Sequence, residues 1–329
     1  MAQSNTSEKI NSYIQDWLYI IENMNNDNTY KLAWGRAIIE HVSSMKMVDD
    51  VNVIRFELIA KYMIKYYWNQ LFFFNLKQSP NDKKPPILVQ DTNKLIEKYK
   101  ELSQTSIPEW FDKAETVLLT DKEYYYKIIE HSAKTLKNDV SWRFMNASKQ
   151  TYPLYDLNTD LLEIAFTRDQ VNLIKGYSYV LSQLLNFKWA QLLEKFNTAP
   201  KIASKVRGIS DAKLKRNALT KYKNFLLEQS NGQAIDFYTG KVLDEDDISL
   251  DHVIPWSFIY SDDIWNLVFT SRSNNSSKSN TIPSEETIDK LKKRNEELFE
   301  MLEDCKYKND LQIAIENAYV DKFYMSMKM

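Results

Sequence analysis

The sequence predicts an α+β fold that is predominantly helical, with an all-α N-terminal domain followed by a C-terminal module of short strands and flanking helices. The 329-residue chain contains only five glycines, and this scarcity disfavours many tight β-turns and favours long helices. Apolar residues at Phe56, Ile59, Met63 and Tyr67 recur at helical spacing. After about residue 230 the pattern changes to short, β-like segments. Two kinds of domain are therefore expected to follow one another along the chain.

The N-terminal domain is predicted to span residues 1–200, because a chain of this length can hold two domains, each with its own core. The predicted helices are two or three over residues 8–75 and one each over 91–102, 108–118, 121–137 and 167–196. The segment SPNDKKPP (79–86) contains three prolines and cannot continue a helix. The expected core anchors are Trp17, Trp34 and Trp68.

The C-terminal domain is predicted to span residues 201–329, with its central motif over 230–285. The segments AIDFYTGKVL and ISLDHVIPW are predicted to form a β-hairpin around the acidic turn Asp244–Asp247, with a helix after Thr270. The four acidic residues favour a solvated turn over a second metal site. The remaining predicted helices are one that begins at Ser284, which precedes two glutamates, and a last one over 308–328.

Charge and hydropathy limit the classes of function. The net charge is only −2, so affinity for nucleic acid must come from a local basic patch. The most apolar stretch, IAKYMIKYYWNQLFFF, is interrupted by Lys61 and Lys65, so no membrane is expected as a partner. The single Cys305 excludes a disulfide framework and a cysteine-rich zinc site. The opening residues, MAQSNTSEKI, lack the features of a secretory signal, and we expect a cytoplasmic protein.

A local basic patch lies between residues 201 and 223, where eight basic residues accompany one acid, Asp211. Its members are Lys201, Lys205, Arg207, Lys213, Lys215, Arg216, Lys221 and Lys223. One interpretation is a solvated helix face and linker. The other is a segment that follows the phosphate backbone of a nucleic acid, with Lys213, Lys215 and Arg216 as candidate contacts.

The run LDHVIPWSFIYSDDIWNLVFTSRSNNSSKSNTIPS contains the candidate catalytic residues. Asp251 directly precedes His252, and Asn275 follows the histidine by 23 residues. Carboxylate and amide oxygens are suitable ligands for Mg²⁺ (or Mn²⁺), which leaves other positions to water and phosphate. An imidazole with a pKa near neutrality can take a proton from an attacking water. A structural Asp–His pair is the alternative, but Asn266, Asn275 and Lys278 following in order favour the catalytic interpretation.

This segment resembles the HNH, or ββα-metal, nucleases, in particular the HNH module of type II CRISPR effectors and bacterial restriction-type endonucleases. The matching residues are Asp251-His252, Pro255, Ser257-Phe258, Asn266, Asn275, Lys278-Ser279 and Pro283-Ser284. The resemblance implies that His252 is the general base, that Asp251 and Asn275 are metal ligands, and that Asn266 supports the loop and the base. It covers residues 230–285. Lys278 and Arg272 are candidate phosphate contacts, with a solvated helix face as the alternative.

The chain departs from many HNH proteins at the positions of two CxxC pairs that hold a structural zinc. Asp236, Thr239, Ser271 and Asn274 stand where those cysteines would be. A structural zinc site needs four nitrogen or sulfur ligands, so no structural zinc is expected. The module must then be stabilised by packing, and the expected core aromatics are Phe237, Tyr238, Trp256 and Trp265.

These observations predict an HNH endonuclease that hydrolyses DNA phosphodiesters with one Mg²⁺ (or Mn²⁺), and the resemblance suggests bacterial restriction or anti-phage defence. The N-terminal domain is expected to serve recognition, dimerisation or regulation, through a homodimer or a protein partner. Two alternatives stay open. One is a nucleic-acid-binding or regulatory protein whose HNH module is silent or activated by a partner, and the other is a nuclease that cleaves RNA.

Overall fold

The computed structural model describes residues 2–46, 50–81, 83–197, 199–207, 219–278, 281–303 and 305–328, with side chains described from Ser12 onwards. The chain divides into two compact units. The N-terminal unit comprises Met1–Asn197 and Lys205–Ser210, and the C-terminal unit comprises Thr198–Ser204 and Asp211–Met329. Among the described residues, no helix combines the length and the apolar character needed to cross a bilayer.

Helices make up most of the N-terminal unit. They are α1 (Ala2–Asn23), α2 (Tyr30–Ser44), α3 (Phe56–Trp68), which continues as a π-helical turn (Asn69–Phe73), α4 (Ile87–Ser103), α5 (Phe111–Leu118), α6 (Lys122–Asn138), α7 (Val140–Arg143) and α8 (Arg168–Glu194). Helix α8 begins at a capping box, in which the Thr167 hydroxyl accepts from the Gln170 backbone and the Gln170 side chain accepts from the Thr167 backbone. The predicted predominance of helix is confirmed.

The core of this unit is built on large aromatic side chains. Trp17, Trp34 and Trp68 have no exposed surface, so the prediction of these three as core anchors is confirmed. The Trp34 indole donates to the Tyr155 hydroxyl at 3.0 Å, which satisfies its buried N–H. A Cβ added at Gly35 would lie 2.7 Å from the Phe144 ring, so glycine is required there for close packing.

The N-terminal unit also contains short strands, and the prediction of an all-α domain was wrong in this respect. They are β1 (Val51–Arg55), β2 (Asn146–Ala147), β3 (Gln150–Thr151), β4 (Asp156–Asn158) and β5 (Glu163–Thr167). They form a sheet of order β1-β5-β4 and a β2-β3 hairpin, all antiparallel. Strand β1 alternates exposed and buried residues, the pattern of a sheet with one covered face. Its partner β5 lies more than 100 residues further along the chain, so local sequence did not indicate the pairing.

The C-terminal unit contains one two-stranded sheet surrounded by helices. Its elements, preceded by α9 (Ile202–Arg207) at the boundary between the units, are α10 (Lys223–Gln229), β6 (Ile248–His252), α11 (Trp256–Ile259), β7 (Leu267–Ser271), α12 (Arg272–Lys278), α13 (Glu285–Met301), α14 (Lys306–Glu316) and α15 (Tyr319–Lys328). Ser284 caps α13 by accepting from the Thr287 backbone, as predicted. The last predicted helix is two helices, α14 and α15.

The β-hairpin of this unit is formed by a different pair of strands from the predicted one. Strand β6 lies where a strand was expected, but it pairs with β7, whereas the segment 234–243 forms only the isolated bridge Ile235–Val242. The reason is burial: β7 is buried at all five positions and completes the core, while Val242 is 62% exposed. Trp265 and Phe237 lie in this core and confirm two of the expected aromatics; Tyr238 and Trp256 are partly buried.

Candidate active site

The candidate active site is formed where β6 ends and α12 crosses it. In the antiparallel register Asp251 is opposite Val268 and His252 is opposite Leu267, and α12 begins directly after β7. The Asn275 amide nitrogen donates to Ser249 Oγ at 2.7 Å and to the Leu250 carbonyl at 3.3 Å. Because an amide is planar, its oxygen points away from these two acceptors. The fold therefore brings Asp251, His252 and Asn275 to one strand end.

Asp251 is 8% exposed, and its carboxylate is held by two donors. Its Oδ2 accepts from the Tyr238 hydroxyl at 2.6 Å and from Lys278 Nζ at 2.7 Å. Burial lowers the pKa of Lys278, while the neighbouring Asp251 acts in the opposite direction. Burial, together with the charge of Asp251, raises the pKa of Tyr238, so the phenol stays protonated and donates.

His252 forms a buried pair with Asp262. The distance from His252 Nε2 to Asp262 Oδ1 is 3.0 Å, and the two side chains are 8% and 7% exposed. The Tyr222 hydroxyl donates to the Asp262 carbonyl and holds the loop that contains this aspartate. A neutral imidazole that donates from Nε2 leaves Nδ1 as its proton acceptor. The Asp262 carboxylate can only accept, so it favours the tautomer that carries its proton on Nε2.

Asn266 has no exposed surface, and the hydrogen bonds described for its side chain are with the backbone. Its amide oxygen accepts from the Ile254 N–H and its amide nitrogen donates to the Ile254 carbonyl, both at 2.8 Å. Its own carbonyl accepts from the Val253 N–H at 3.0 Å. These bonds fasten the segment after His252 to the start of β7. The geometry is that of a positioning residue, and its role in catalysis stays a prediction.

Asp236 is one of the four residues that stand where many HNH proteins have zinc-binding cysteines, and its carboxylate bonds to the other three, Thr239, Ser271 and Asn274. Its carboxylate accepts five hydrogen bonds of 2.8–3.2 Å, from the backbone N–H groups of Tyr238, Thr239 and Ser271 and from the side chains of Thr270 and Asn274. Burial acts to raise the pKa of Asp236, but these bonds outweigh it and lower the pKa. A buried carboxylate thus joins the 236–239 turn to the start of α12; we call this cluster the Asp236 knuckle.

The predicted phosphate contacts differ in their surroundings. Arg272 is exposed at the first position of α12, and its backbone N–H donates to Asp247 Oδ1 at 3.0 Å. This bond gives the acidic turn a structural partner. The ammonium of Lys278 contacts Asp251. The other three candidates, Lys213, Lys215 and Arg216, lie outside the described residues.

The oxygens at this site are of the kind that Mg²⁺ binds. Asp251 supplies a carboxylate and Asn275 an amide oxygen, whereas Cys305 lies on the N-terminal side of α14, outside the motif. Across the part of the chain that the structure describes, no group of three or more His, Cys, Asp or Glu side chains is arranged to hold a metal ion.

Two residues at this site were not anticipated by the sequence analysis in their present roles. Asp262 pairs with His252, and the Tyr238 hydroxyl, expected only as core, bonds to Asp251. The acidic SDD stretch between His252 and Asn266 was the available signal for Asp262. Local sequence does not specify which of its two aspartates, Asp262 or Asp263, turns inward.

Two family matches divide the chain. Residues 236–284 match the HNH endonuclease family, and residues 17–209 match a domain of unknown function, DUF8808, which covers more than half of the chain. The chain belongs to the DUF8808 family. It is also 42% identical over 71 residues to the CRISPR-associated endonuclease Cas9 of Streptococcus mutans serotype c. That similarity covers 21% of this chain and 5% of the relative. No match was found among solved structures.

These matches confirm the predicted resemblance to HNH endonucleases and to the HNH module of Cas9. The C-terminal unit therefore contains an HNH endonuclease domain, which supports nuclease activity on a nucleic acid. Nucleases of this family generally use divalent metals.

Proposed function

We propose that the protein is a metal-dependent endonuclease that hydrolyses DNA phosphodiester bonds, with His252 as general base and one Mg²⁺ held by Asp251 and Asn275. The observation that carries this proposal is the buried pair between His252 Nε2 and Asp262, at 3.0 Å, formed by the residue that directly follows Asp251 on β6. A histidine held at one nitrogen and adjacent in sequence to a hard anionic ligand has the arrangement needed for metal-assisted hydrolysis.

In this mechanism, Asp262 orients the imidazole and stabilises it when it becomes protonated. His252 Nδ1 takes a proton from water, the water oxygen bonds to phosphorus, and the bond to the 3′ oxygen breaks. The leaving 3′ oxygen takes a proton from solvent, so the products are 5′-phosphate and 3′-hydroxyl ends. A divalent cation, when bound, stabilises charge on the phosphate and on the leaving oxygen. Asn266 keeps the segment after His252 in register with β7. Arg272, which is exposed at the start of α12, would contact a phosphate.

The biological role and the part played by the N-terminal unit belong to this proposal. The relative is a CRISPR-associated endonuclease by name, and this supports a role in bacterial anti-phage or restriction defence. The N-terminal unit would provide recognition, dimerisation or control. The two alternatives to DNA cleavage by the protein alone are cleavage of RNA and an HNH module that is active only with a partner.

The test is to incubate the wild-type protein, His252→Ala and His41→Ala with supercoiled plasmid in Mg²⁺, in Mn²⁺ and in EDTA. His41 lies on α2, outside the HNH domain, and its change controls for loss of an imidazole. We expect metal-dependent nicking by wild type and His41→Ala, and a loss of about a thousandfold or more in His252→Ala. Cleavage that persists in EDTA or in His252→Ala would contradict the proposed mechanism. Cleavage of a single-stranded RNA but not of plasmid would assign the substrate to RNA.

A further inference from the structure

The ammonium group of Lys278 lies among four oxygen atoms of the candidate active site. Its Nζ is 2.7 Å from Asp251 Oδ2, 2.7 Å from the Tyr238 hydroxyl, 2.8 Å from the His252 carbonyl and 3.1 Å from the Val253 carbonyl. The side chain is 16% exposed. A carboxylate, a phenol and two carbonyls are the neutral and anionic oxygens that surround bound cations in proteins. The Lys278 ammonium therefore occupies a position, surrounded by oxygen atoms, that could also suit a metal cation.

We propose that Lys278 competes with the divalent metal for Asp251, so that its ammonium must leave the carboxylate before the metal is bound. This inference rests on the proposed function, because it takes Asp251 as a metal ligand. Two cations at contact distance in a partly buried site repel each other strongly, since solvent screens them poorly. Oδ2 of Asp251, one of the two oxygens that could bind a metal, already accepts a hydrogen bond from the Lys278 ammonium, whose charge has the same sign as that of the metal.

The position of Lys278 in the fold allows this exchange. Lys278 is the last residue of α12, and its head group is carried on a flexible four-carbon stem. Rotation of that stem moves the charge without breaking the β6–β7 ladder or the contacts of Asn275 with Ser249 and Leu250. Tyr238 remains as a neutral donor to Asp251 in either state. The metal-free site is thereby neutralised by the chain itself.

The test measures Mn²⁺ binding by the full chain, from loss of the electron paramagnetic resonance signal of free aqueous Mn²⁺. Lys278→Gln removes the charge and keeps a hydrogen-bond donor, whereas Lys278→Arg keeps the charge. We expect Lys278→Gln to bind Mn²⁺ about tenfold more tightly than wild type, and Lys278→Arg to stay within about twofold of wild type. Lys278→Met, which keeps the stem but no charge, is the second neutral variant.

Thermal unfolding gives an independent readout that does not depend on cleavage. Without metal, Lys278→Gln should melt below wild type, because the Asp251 carboxylate loses its counter-ion. With excess Mn²⁺, its melting temperature should rise by more than that of wild type, because tighter binding to the folded state stabilises it further.

Three results would overturn the inference. Equal Mn²⁺ affinity in wild type and both neutral variants would make the Lys278–Asp251 pair purely structural, and weaker affinity would make Lys278 part of the metal-bound state. In both cases the proposed nuclease stands. If Asp251→Asn leaves Mn²⁺ binding unchanged in every background, the assignment of Asp251 as ligand fails, and the competition fails with it. A folded control for each variant is the far-ultraviolet circular dichroism spectrum.

Discussion

Asp236 and Asp251 are two buried aspartates of the HNH domain whose carboxylates are neutralised in different ways. Asp236 is 1% exposed and accepts five hydrogen bonds from neutral donors of the protein. Asp251 is 8% exposed and is held by one phenol and one lysine ammonium. Neutral backbone donors are fixed by the fold, whereas an ammonium on a long side chain can move away. The first arrangement is suited to holding structure, and the second to exchanging one cation for another.

Tyr238 connects the two aspartates. Its backbone N–H donates to Asp236 at 2.9 Å and its hydroxyl donates to Asp251 at 2.6 Å. The Asp236 knuckle therefore also fixes one donor of the active site. In a protein without zinc-binding cysteines, the knuckle occupies the positions of those ligands and ties the 236–239 turn to the strand that precedes α12. A carboxylate with protein donors thus joins segments at the positions where many HNH proteins carry zinc-binding cysteines.

The largest expected effect is on activity, at Asp251. We predict that Asp251→Asn lowers the rate of plasmid nicking by about a thousandfold, equivalent to about 4 kcal/mol of activation free energy, because a ligand and its charge are lost. The unfolding free energy should fall by only about 1–3 kcal/mol, because Lys278 loses its partner. The rate is measured on supercoiled plasmid at saturating Mg²⁺, and stability by urea unfolding. A nicking rate within tenfold of wild type would remove the proposed distinction between the two aspartates.

The next effect is on stability, at Asp236. We predict that Asp236→Ala destabilises the C-terminal unit by about 3 kcal/mol or more, because five donors lose their acceptor in a buried site. Urea unfolding followed by tryptophan fluorescence measures this change. Asp247→Ala is the matched control, since it removes the single described bond to the exposed start of α12 and should cost about 1 kcal/mol or less. Equal losses in the two variants would contradict the structural role of the Asp236 knuckle.

The pH dependence of stability provides a second check on Asp236. Its pKa is lowered in the folded state, so its contribution is fully present above the unfolded pKa of about 3.9 and is lost as the pH falls through the folded pKa. Wild type should therefore lose stability in this acidic range more steeply than Asp236→Ala. Parallel curves for the two proteins would mean that the ionised form of Asp236 is not the form that stabilises the module.

The sequence predicted the HNH motif and most helices, but not the contacts between residues that are distant along the chain. The order Asp251-His252, Asn266, Asn275 predicted the HNH domain, because these residue types in this order resemble the motif of that family. The substitution of Asp236, Thr239, Ser271 and Asn274 for cysteines predicted that zinc is not needed. The hydrogen bonds of the Asp236 knuckle were not predicted, since they join residues 34–38 positions apart through β7 and α12. Helix periodicity likewise predicted most of the N-terminal unit, while the pairing of β1 with the distant β5 depended on tertiary contacts.

The smallest predicted effect tests a third carboxylate, Asp262, which pairs with His252. We predict that Asp262→Asn lowers the nicking rate by about 10- to 100-fold, or about 1.4–2.7 kcal/mol. An amide at this position can present either its oxygen or its nitrogen to His252, so the tautomer with Nδ1 free to accept a proton is no longer enforced. Asp263→Asn is the matched control, because that neighbouring carboxylate accepts from Ser261 at 2.6 Å and makes no described contact with His252. Mn²⁺ affinity should be unchanged in both variants, since neither carboxylate bonds to Asp251 in the described contacts. If Asp262→Asn lost nicking rate and also bound Mn²⁺ more weakly, Asp262 would be part of the metal site. Asp251 would then not be the only carboxylate of the site that binds an exchangeable cation.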